Sequence, residues 1–215
     1  TVVVLETNGE YQTSESFSVT VNHVNDAPSM VEILDVSTEE ESSTSIALNA
    51  VDVDGDTGFT FSASSSSDLF NLSVSGSNLS IEPLDNMVGT GSVVVAASDG
   101  LASSDSVTFN VTIENVNDAP VLSSIDNPDS VLEDSDDIVV ALSASDVDGD
   151  SVTFTVDVAN SDLFEYVSID ENILTLNPAN NANGSSTIYV FASDGEATVS
   201  GEFDVDVLAV NEIDI

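Results

Sequence analysis

Lysine and arginine are absent from this chain, as are cysteine and tryptophan, while Asp and Glu number 40 and leave a formal charge of −40. A chain of ordinary composition and this length carries roughly 25 basic residues, so their absence removes whole function classes. Nucleic-acid binding needs cationic side chains to displace counterions. Docking on an anionic membrane needs them too. Phosphate-handling enzymes clamp their substrates with Arg or Lys, and no Gly-rich phosphate loop is present. Without cysteine, any extracellular stability has to come from something other than disulfides. No apolar run approaches a membrane span and no basic, apolar leader opens the chain, so no membrane insertion is expected in this segment.

Catalytic groups are equally scarce. His23 is the sole imidazole and reads as an exposed residue at a strand end. No nucleophile–base pair stands out, and no carboxylate pair is set apart from the other acids as a glycosidase pair would have to be. The chain is therefore expected not to be an enzyme. Asn71, Asn78, Asn110 and Asn183 match Asn-x-Ser/Thr, which a Ser-rich sequence produces by chance.

What is present repeats. Asn25-Asp26-Ala27-Pro28 returns 92 residues later as Asn117-Asp118-Ala119-Pro120, and Asp52-Val53-Asp54-Gly55-Asp56 returns 94 later as Asp146-Val147-Asp148-Gly149-Asp150. Ser98-Asp99-Gly100 returns 95 later as Ser193-Asp194-Gly195. Crowded carboxylates repel one another and lose hydration, so they shift their pKa values or recruit cations. Hard oxygen ligands in such number point to Ca²⁺. Asp-x-Asp-Gly-Asp sets alternate carboxylates on one side of a tight segment, with Gly allowing the turn. A solvated acidic turn is the bland alternative, but recurrence in register with two other acidic motifs favours the ligand reading. An acidic surface of this kind suits a Ca²⁺-rich exterior.

With 41% hydrophobic residues placed periodically, the chain can bury a core. Val107, Phe109, Val111 and Ile113 alternate with Thr108, Asn110, Thr112 and Glu114, and the same alternation recurs at Phe203, Val205 and Val207. Counting an opening strand near Val31 to Val36, each unit holds about seven short strands and no helical periodicity. That predicts an all-β fold of tandem seven-stranded Greek-key β-sandwiches of immunoglobulin-like size in a linear array. The expected divisions are a hairpin ending a preceding repeat (1–22), a linker (23–28), a domain (29–114), a linker (115–120), a domain (121–210) and the start of another linker (211–215). A lone hairpin is marginal in water, so the chain is expected to continue upstream, monomeric along a longer array.

The order acid, Asp-x-Asp-Gly-Asp, Leu84-Asp85-Asn86, Ala-Ser-Asp-Gly, Asn-Asp-Ala-Pro resembles the cadherin repeat in its bacterial cadherin-like form, found in large acidic surface adhesins of the RTX type. The resemblance covers essentially the whole chain. It implies Ca²⁺ at each interdomain junction. At the second junction it implies ligands at Asn115, Asn117, Asp118, Asp146, Asp148, Asp150 and Asp194, with Asp85 and one of Glu39, Glu40 or Glu41. At the first it implies Asn25, Asp26, Asp52, Asp54, Asp56 and Asp99. Met87 stands where the family has a bridging glutamate, Asn180 replaces the Asp in the second domain, and Asn115 and His23 replace the first linker acid. These departures lower the expectation at the 115–118 junction to two ions rather than three. The implied function is a Ca²⁺-rigidified spacer of a secreted or bacterial cell-surface adhesin. Partners such as glycans or cell-surface proteins would be reached through other parts of the full chain. The alternative is a Ca²⁺-dependent carbohydrate-binding or homophilic adhesion module, against which the lack of Trp and the presence of only three Tyr weigh.

Overall fold

A computed structural model describes residues 1–7, 9–10 and 12–210. Asn8 and the 211–215 segment expected to begin a further linker lie outside these described residues. Two compact units form. One comprises Thr1–Thr38, Ser42–Leu84 and Gly89–Ile113; the other comprises Glu39–Glu41, Asp85–Val88 and the residues from Glu114 onward. Among the described residues there are only strands and one 3-10 turn, Ser161–Leu163, and no helix long and apolar enough to cross a membrane.

The chain opens with the hairpin β1 (Val2–Thr7) and β2 (Gln12–Phe17). The first sandwich then runs β3 (Ser29–Met30), β4 (Val36–Glu39), β5 (Thr44–Ala47), β6 (Ala50–Val51), β7 (Thr60–Ser65), β8 (Phe70–Ser75), β9 (Asn78–Pro83), β10 (Gly89–Ser98) and β11 (Val107–Glu114). The second repeats it as β12 (Val121–Leu122), β13 (Val131–Leu132), β14 (Ile138–Ala141), β15 (Ala144–Ser145), β16 (Thr153–Val158), β17 (Phe164–Asp170), β18 (Ile173–Pro178), β19 (Gly184–Ser193) and β20 (Thr198–Leu208). One sheet has the order β4-β11-β10-β7, or β13-β20-β19-β16 in the second copy, and it faces β5-β9-β8 or β14-β18-β17.

The nine segments occupy seven strand positions. The expected opening strand near Val31–Val36 is not continuous. Residues 29–30 pair with β6, and the chain then crosses to the other sheet, where β4 lies beside β11. Over 31–35 ladder pairing is lost, and Val31 and Leu34 are exposed. Leu48 and Leu142 sit where the second strand breaks, and both are buried.

Period-2 alternation puts Val93, Val95, Phe109, Val111 and Ile113 in the first core and Ile188, Val190, Phe203, Val205 and Val207 in the second. Register is shared as well. Val93 opposes Phe109 and Ile188 opposes Phe203. In the opening hairpin Val2 opposes Phe17 in the same way, yet these two are 44% and 53% exposed. The hairpin thus carries the sequence of a core-facing pair without a facing sheet.

Gly91 is buried on β10, where a Cβ would lie 2.6 Å from Ser67 Cβ and 2.8 Å from Phe70 Cε1. Gly91→Ala is therefore expected to destabilise the first sandwich by about 1–3 kcal/mol through overpacking. Denaturant unfolding of the variant against the parent chain checks this, and an unchanged midpoint would contradict it.

Candidate metal centre

Glu40 follows β4 with the parity of Val36 and Thr38, so the pleat turns its side chain inward while Glu39 and Glu41 stay exposed. Its backbone N–H donates to Glu114 O at 3.0 Å, and its Oε1 accepts from Val116 N at 2.9 Å. The residue is 2% exposed, and no donor among the described residues reaches Oε2. Of the three glutamates the sequence left open, Glu40 is the one held in the site.

The Asp146–Asp150 loop supplies the opposite wall. Gly149 adopts a φ of 82°, which lets the chain turn tightly. Asp146 Oδ1 accepts from Asp148 N at 2.9 Å and from Asp150 N at 3.4 Å, while its Oδ2 is buried without a partner. Asp148 Oδ2 accepts from Asp118 N at 2.7 Å. Glu40, Asp118 and Asp148 each place a carboxylate oxygen within 4.8 Å of the others, as do Asp146, Asp148 and Asp150. Asp148 belongs to both groups. Burial, then the charges of Asp148, Glu40 and Asp146, push the Asp118 carboxyl above its ordinary range.

Asn117 fastens the linker by donating its Nδ2 to Asp194 Oδ2 at 3.1 Å. Asp194 Oδ1 takes the backbone N–H groups of Ala197 at 2.6 Å and Glu196 at 2.7 Å. The Ala197 N–H and the Asn117 amide hold Asp194 below the ordinary carboxylate range against the opposing effect of burial. Asn115 and Asp85 are exposed and stand outside both carboxylate groups.

The first unit repeats the scaffold with a change. Asn25 Nδ2 donates to Asp99 Oδ2 at 2.9 Å, and Asp26 N donates to Asp54 Oδ2 at 2.7 Å. Asp52 Oδ1 accepts from Asp54 N at 2.7 Å, and Asp52 Oδ2 is buried and unpartnered. Asp99 Oδ1 takes the N–H groups of Leu101 and Ala102, each at 2.7 Å, and the Ala102 bond leads the effects that keep its pKa low. Asp56 is exposed. Where the second unit has Asn115, His23 is exposed, as expected, but lies in the irregular 18–28 stretch and not at a strand end, with its Nε2 2.8 Å from Asp54 Oδ1. Asp54 is held below the ordinary range chiefly by the Asp26 N–H, with His23 adding to it.

Sequence reasoning missed Glu133. It is 6% exposed, donates its N–H to Leu208 O at 3.0 Å and accepts Val210 N on Oε1 at 2.8 Å. That is the bonding of Glu40, 93 residues further on. The repeat spacing was the available signal.

Buried carboxylate oxygens with no donor are costly, and this chain has no Lys or Arg to meet them. The donor set is all hard oxygen, as Ca²⁺ requires, and is open to six or more ligands at its 2.3–2.6 Å distances. Glu40, Asp118 and Asp148 fit one such ion, and Asp146, Asp148 and Asp150 fit another.

A family model described as bacterial Ig domain matches residues 25–112 and 117–206. No curated protein matches the chain. Among solved structures, human protocadherin-24 EC1-2 is 20% identical, with 86% of this chain and 100% of that one covered and a TM-score of 0.60. Protocadherin Gamma B2 extracellular cadherin domains 1-5 is 18% identical, with 98% and 46% covered and a TM-score of 0.54. The chain spans 34% of an endo-fucoidan hydrolase from glycoside hydrolase family 107, 19% identical over 97% of this chain, at a TM-score of 0.35 that carries no argument. These likenesses establish tandem Ig/cadherin-like sandwiches.

In chelator, the raised Asp118 pKa favours folding below the ordinary value of 3.8, and that contribution is lost as pH rises through the folded value. For Asp99 and Asp194 the sign is opposite. Their contribution is present above the ordinary value and is lost as pH falls through the lowered one. Carboxyl-carbon NMR is expected to show Asp118 titrating above Asp99 and Asp194 in chelator, and to drop below its ordinary range once Ca²⁺ is added. An Asp118 titration unmoved by Ca²⁺ would count against the ion site.

Proposed function

We propose that this chain, which belongs to the bacterial Ig domain family in two tandem copies, is a Ca²⁺-stiffened spacer of a large extracellular adhesin. The observation that carries the reading is the convergence of Glu40 from the first sequence repeat, Asp118 from the linker and Asp148 from the second repeat, with Asp146 and Asp150 grouped around the same Asp148. Glu40 and Asp146 each present a buried oxygen that no protein group satisfies. An ion held by three separate stretches of chain ties them together. The same carboxylates left bare push them apart.

The mechanism is electrostatic and mechanical. Ca²⁺ would neutralise the Glu40–Asp118–Asp148 group and take up the free oxygens of Glu40 and Asp146. Asn117 positions the linker through Asp194, and Val116 N holds Glu40 in place. Pro120 fixes φ just beyond the ligands, so few backbone rotations remain free. The divisions at 23–28 and 115–120 serve in this reading as ligand-bearing linkers between sandwiches. Extracellular modules of this ligand type bind Ca²⁺ at about 10⁻⁴–10⁻³ M, which favours a Ca²⁺-rich exterior. Mg²⁺ is a poor substitute because it demands tight octahedral geometry and sheds water reluctantly.

A ligand that binds only the folded chain stabilises it by mass action. Millimolar Ca²⁺ is therefore expected to raise the melting temperature, and calorimetry should register binding heat that chelator removes. Equal melting in both buffers would defeat the reading.

Asp146→Ala with Asp148→Ala is expected to abolish binding at the 115–118 site while both cores stay folded. Global unfolding of that variant in excess Ca²⁺, seen by circular dichroism, would break the separation of core from linker. Small-angle scattering supplies the functional test: Ca²⁺ should narrow the distance distribution relative to chelator. Superimposable profiles would reject the spacer mechanism while leaving Ca²⁺ binding intact.

A further inference from the structure

The second sandwich carries a feature the first does not, away from the Ca²⁺ ligands. β16 is the outer strand of one sheet and β17 the outer strand of the other. A cavity of about 480 Å³ lies along them, with Val156, Val158, Phe164 and Val167 at its apolar floor and Asp157, Glu165 and Tyr166 around it. In the first sandwich the corresponding β7 and β8 pack against each other, whereas β16 and β17 make little contact.

Comparison between the two copies isolates what was added. Phe70 opposes Pro83 and Asn71 opposes Glu82 without interruption in the first copy. In the second, Phe164 opposes Pro178 and Tyr166 opposes Asn177, so Glu165 is an extra residue in a bulge. Bulges re-aim side chains at the edge of a sheet. By the same registers, Asp157 stands where the first copy has Ser64, and Tyr166 where it has Asn71. The first copy forms the same strand order without these three residues.

Tyr166 is also held. Its hydroxyl donates to Asp137 Oδ2 at 2.7 Å, and Asn177 Nδ2 donates to Asp137 Oδ1 at 2.6 Å. The first copy has Ser43 and Glu82 at the places of Asp137 and Asn177. The phenol ring is 46% exposed but fixed beside the cavity, which lowers the entropy lost on binding.

The geometry points to this groove as a binding site for a basic, extended peptide segment of a partner protein. An apolar floor with carboxylates at its margin suits the aliphatic stem and cationic head of Lys or Arg. A fixed tyrosine ring adds cation–π attraction. Two outer strands face the groove and could pair with an added strand, with Val158 N already taken by Asp157 Oδ1 at 2.9 Å. The chain's own charge excludes an acidic occupant and supplies no internal one, since it holds neither Lys nor Arg. The site does not rest on the Ca²⁺ reading and uses none of its ligands.

The test uses the whole chain at millimolar Ca²⁺ and about 0.15 M salt, where long-range attraction between exposed charges is largely screened. The probe is the blocked peptide Lys-Val-Arg-Val-Lys, with Glu-Val-Glu-Val-Glu and maltohexaose as comparisons, followed by amide NMR. The basic peptide is expected to give saturable shifts concentrated at 156–158 and 165–167, and neither comparison ligand should. Asp157→Asn with Glu165→Gln is expected to weaken the affinity at least tenfold, and Tyr166→Ala to weaken it as well. The wild-type shift map stands as evidence if a variant misfolds. The proposal is overturned by diffuse, non-saturating shifts, by no shifts, or by unchanged affinity in the double variant. Maltohexaose moving these amides in place of the peptide would also overturn it and make the groove a saccharide site.

Discussion

The carboxylates of this molecule answer to one constraint: they must be satisfied without Lys or Arg, His23 being the sole basic side chain. Where they are spread along exposed strands, hydroxyls and amides serve. Thr187 Oγ1 donates to Asp204 at 2.7 Å, and Asn110 N donates to Asp35 at 2.7 Å. Where they converge, backbone N–H groups are used first. Val116 reaches Glu40, Asp118 reaches Asp148, and Ala197 reaches Asp194. Each such bond satisfies one oxygen of a carboxylate and leaves the second for something else. At Glu40, Asp52 and Asp146 that second oxygen is buried, so solvent cannot supply it.

The two sandwiches share this plan but not its details. Their cores share strand order and most of their register, because a buried β pattern tolerates little change in volume or register. Their linkers differ where chemistry rather than packing decides. His23 presents an imidazole nitrogen to Asp54, whereas Asn115 at the equivalent place is exposed and offers an amide in place of an imidazole. The carboxylate group of the second unit gains Glu40 from the preceding repeat. The two linkers therefore offer different ligand chemistry on one scaffold.

Much of this was legible in the sequence, because the features that set the fold are periodic. Alternation gave the strands, and the 92- to 95-residue spacing of acidic motifs gave the copies. Most ligand candidates fell inside those motifs, so they could be placed by counting. What escaped was aperiodic. The crossing at 31–35 depends on which sheet each half of the strand joins, which Val31 and Leu34 do not reveal. Glu133 lies in Val131-Leu132-Glu133-Asp134, where nothing local marks it as buried, although its distance from Glu40 would have. Parity with Val36 and Thr38 would likewise have singled out Glu40 from its neighbours. Glu165 shows the opposite limit: an inserted residue disturbs the very pattern by which strands are read.

The lack of basic residues also bears on how sharply the molecule would respond to Ca²⁺. In a domain of mixed charge, a lost cation can be compensated as nearby Lys or Arg side chains swing toward the vacated carboxylates. Here no such substitute exists, and the backbone donors that could help are already committed to the other oxygens. Screening by monovalent salt is weak for buried groups, so it does not fill the role either. On the proposed Ca²⁺ reading, the linker groups would have two states available, ion-bound and mutually repelling. Because Asp148 belongs to both carboxylate groups of the second unit, neutralising one group lowers the charge that the other must accommodate. In the proposed reading, filling of the two would be coupled through that shared carboxylate, and stiffness would follow the Ca²⁺ outside the chain.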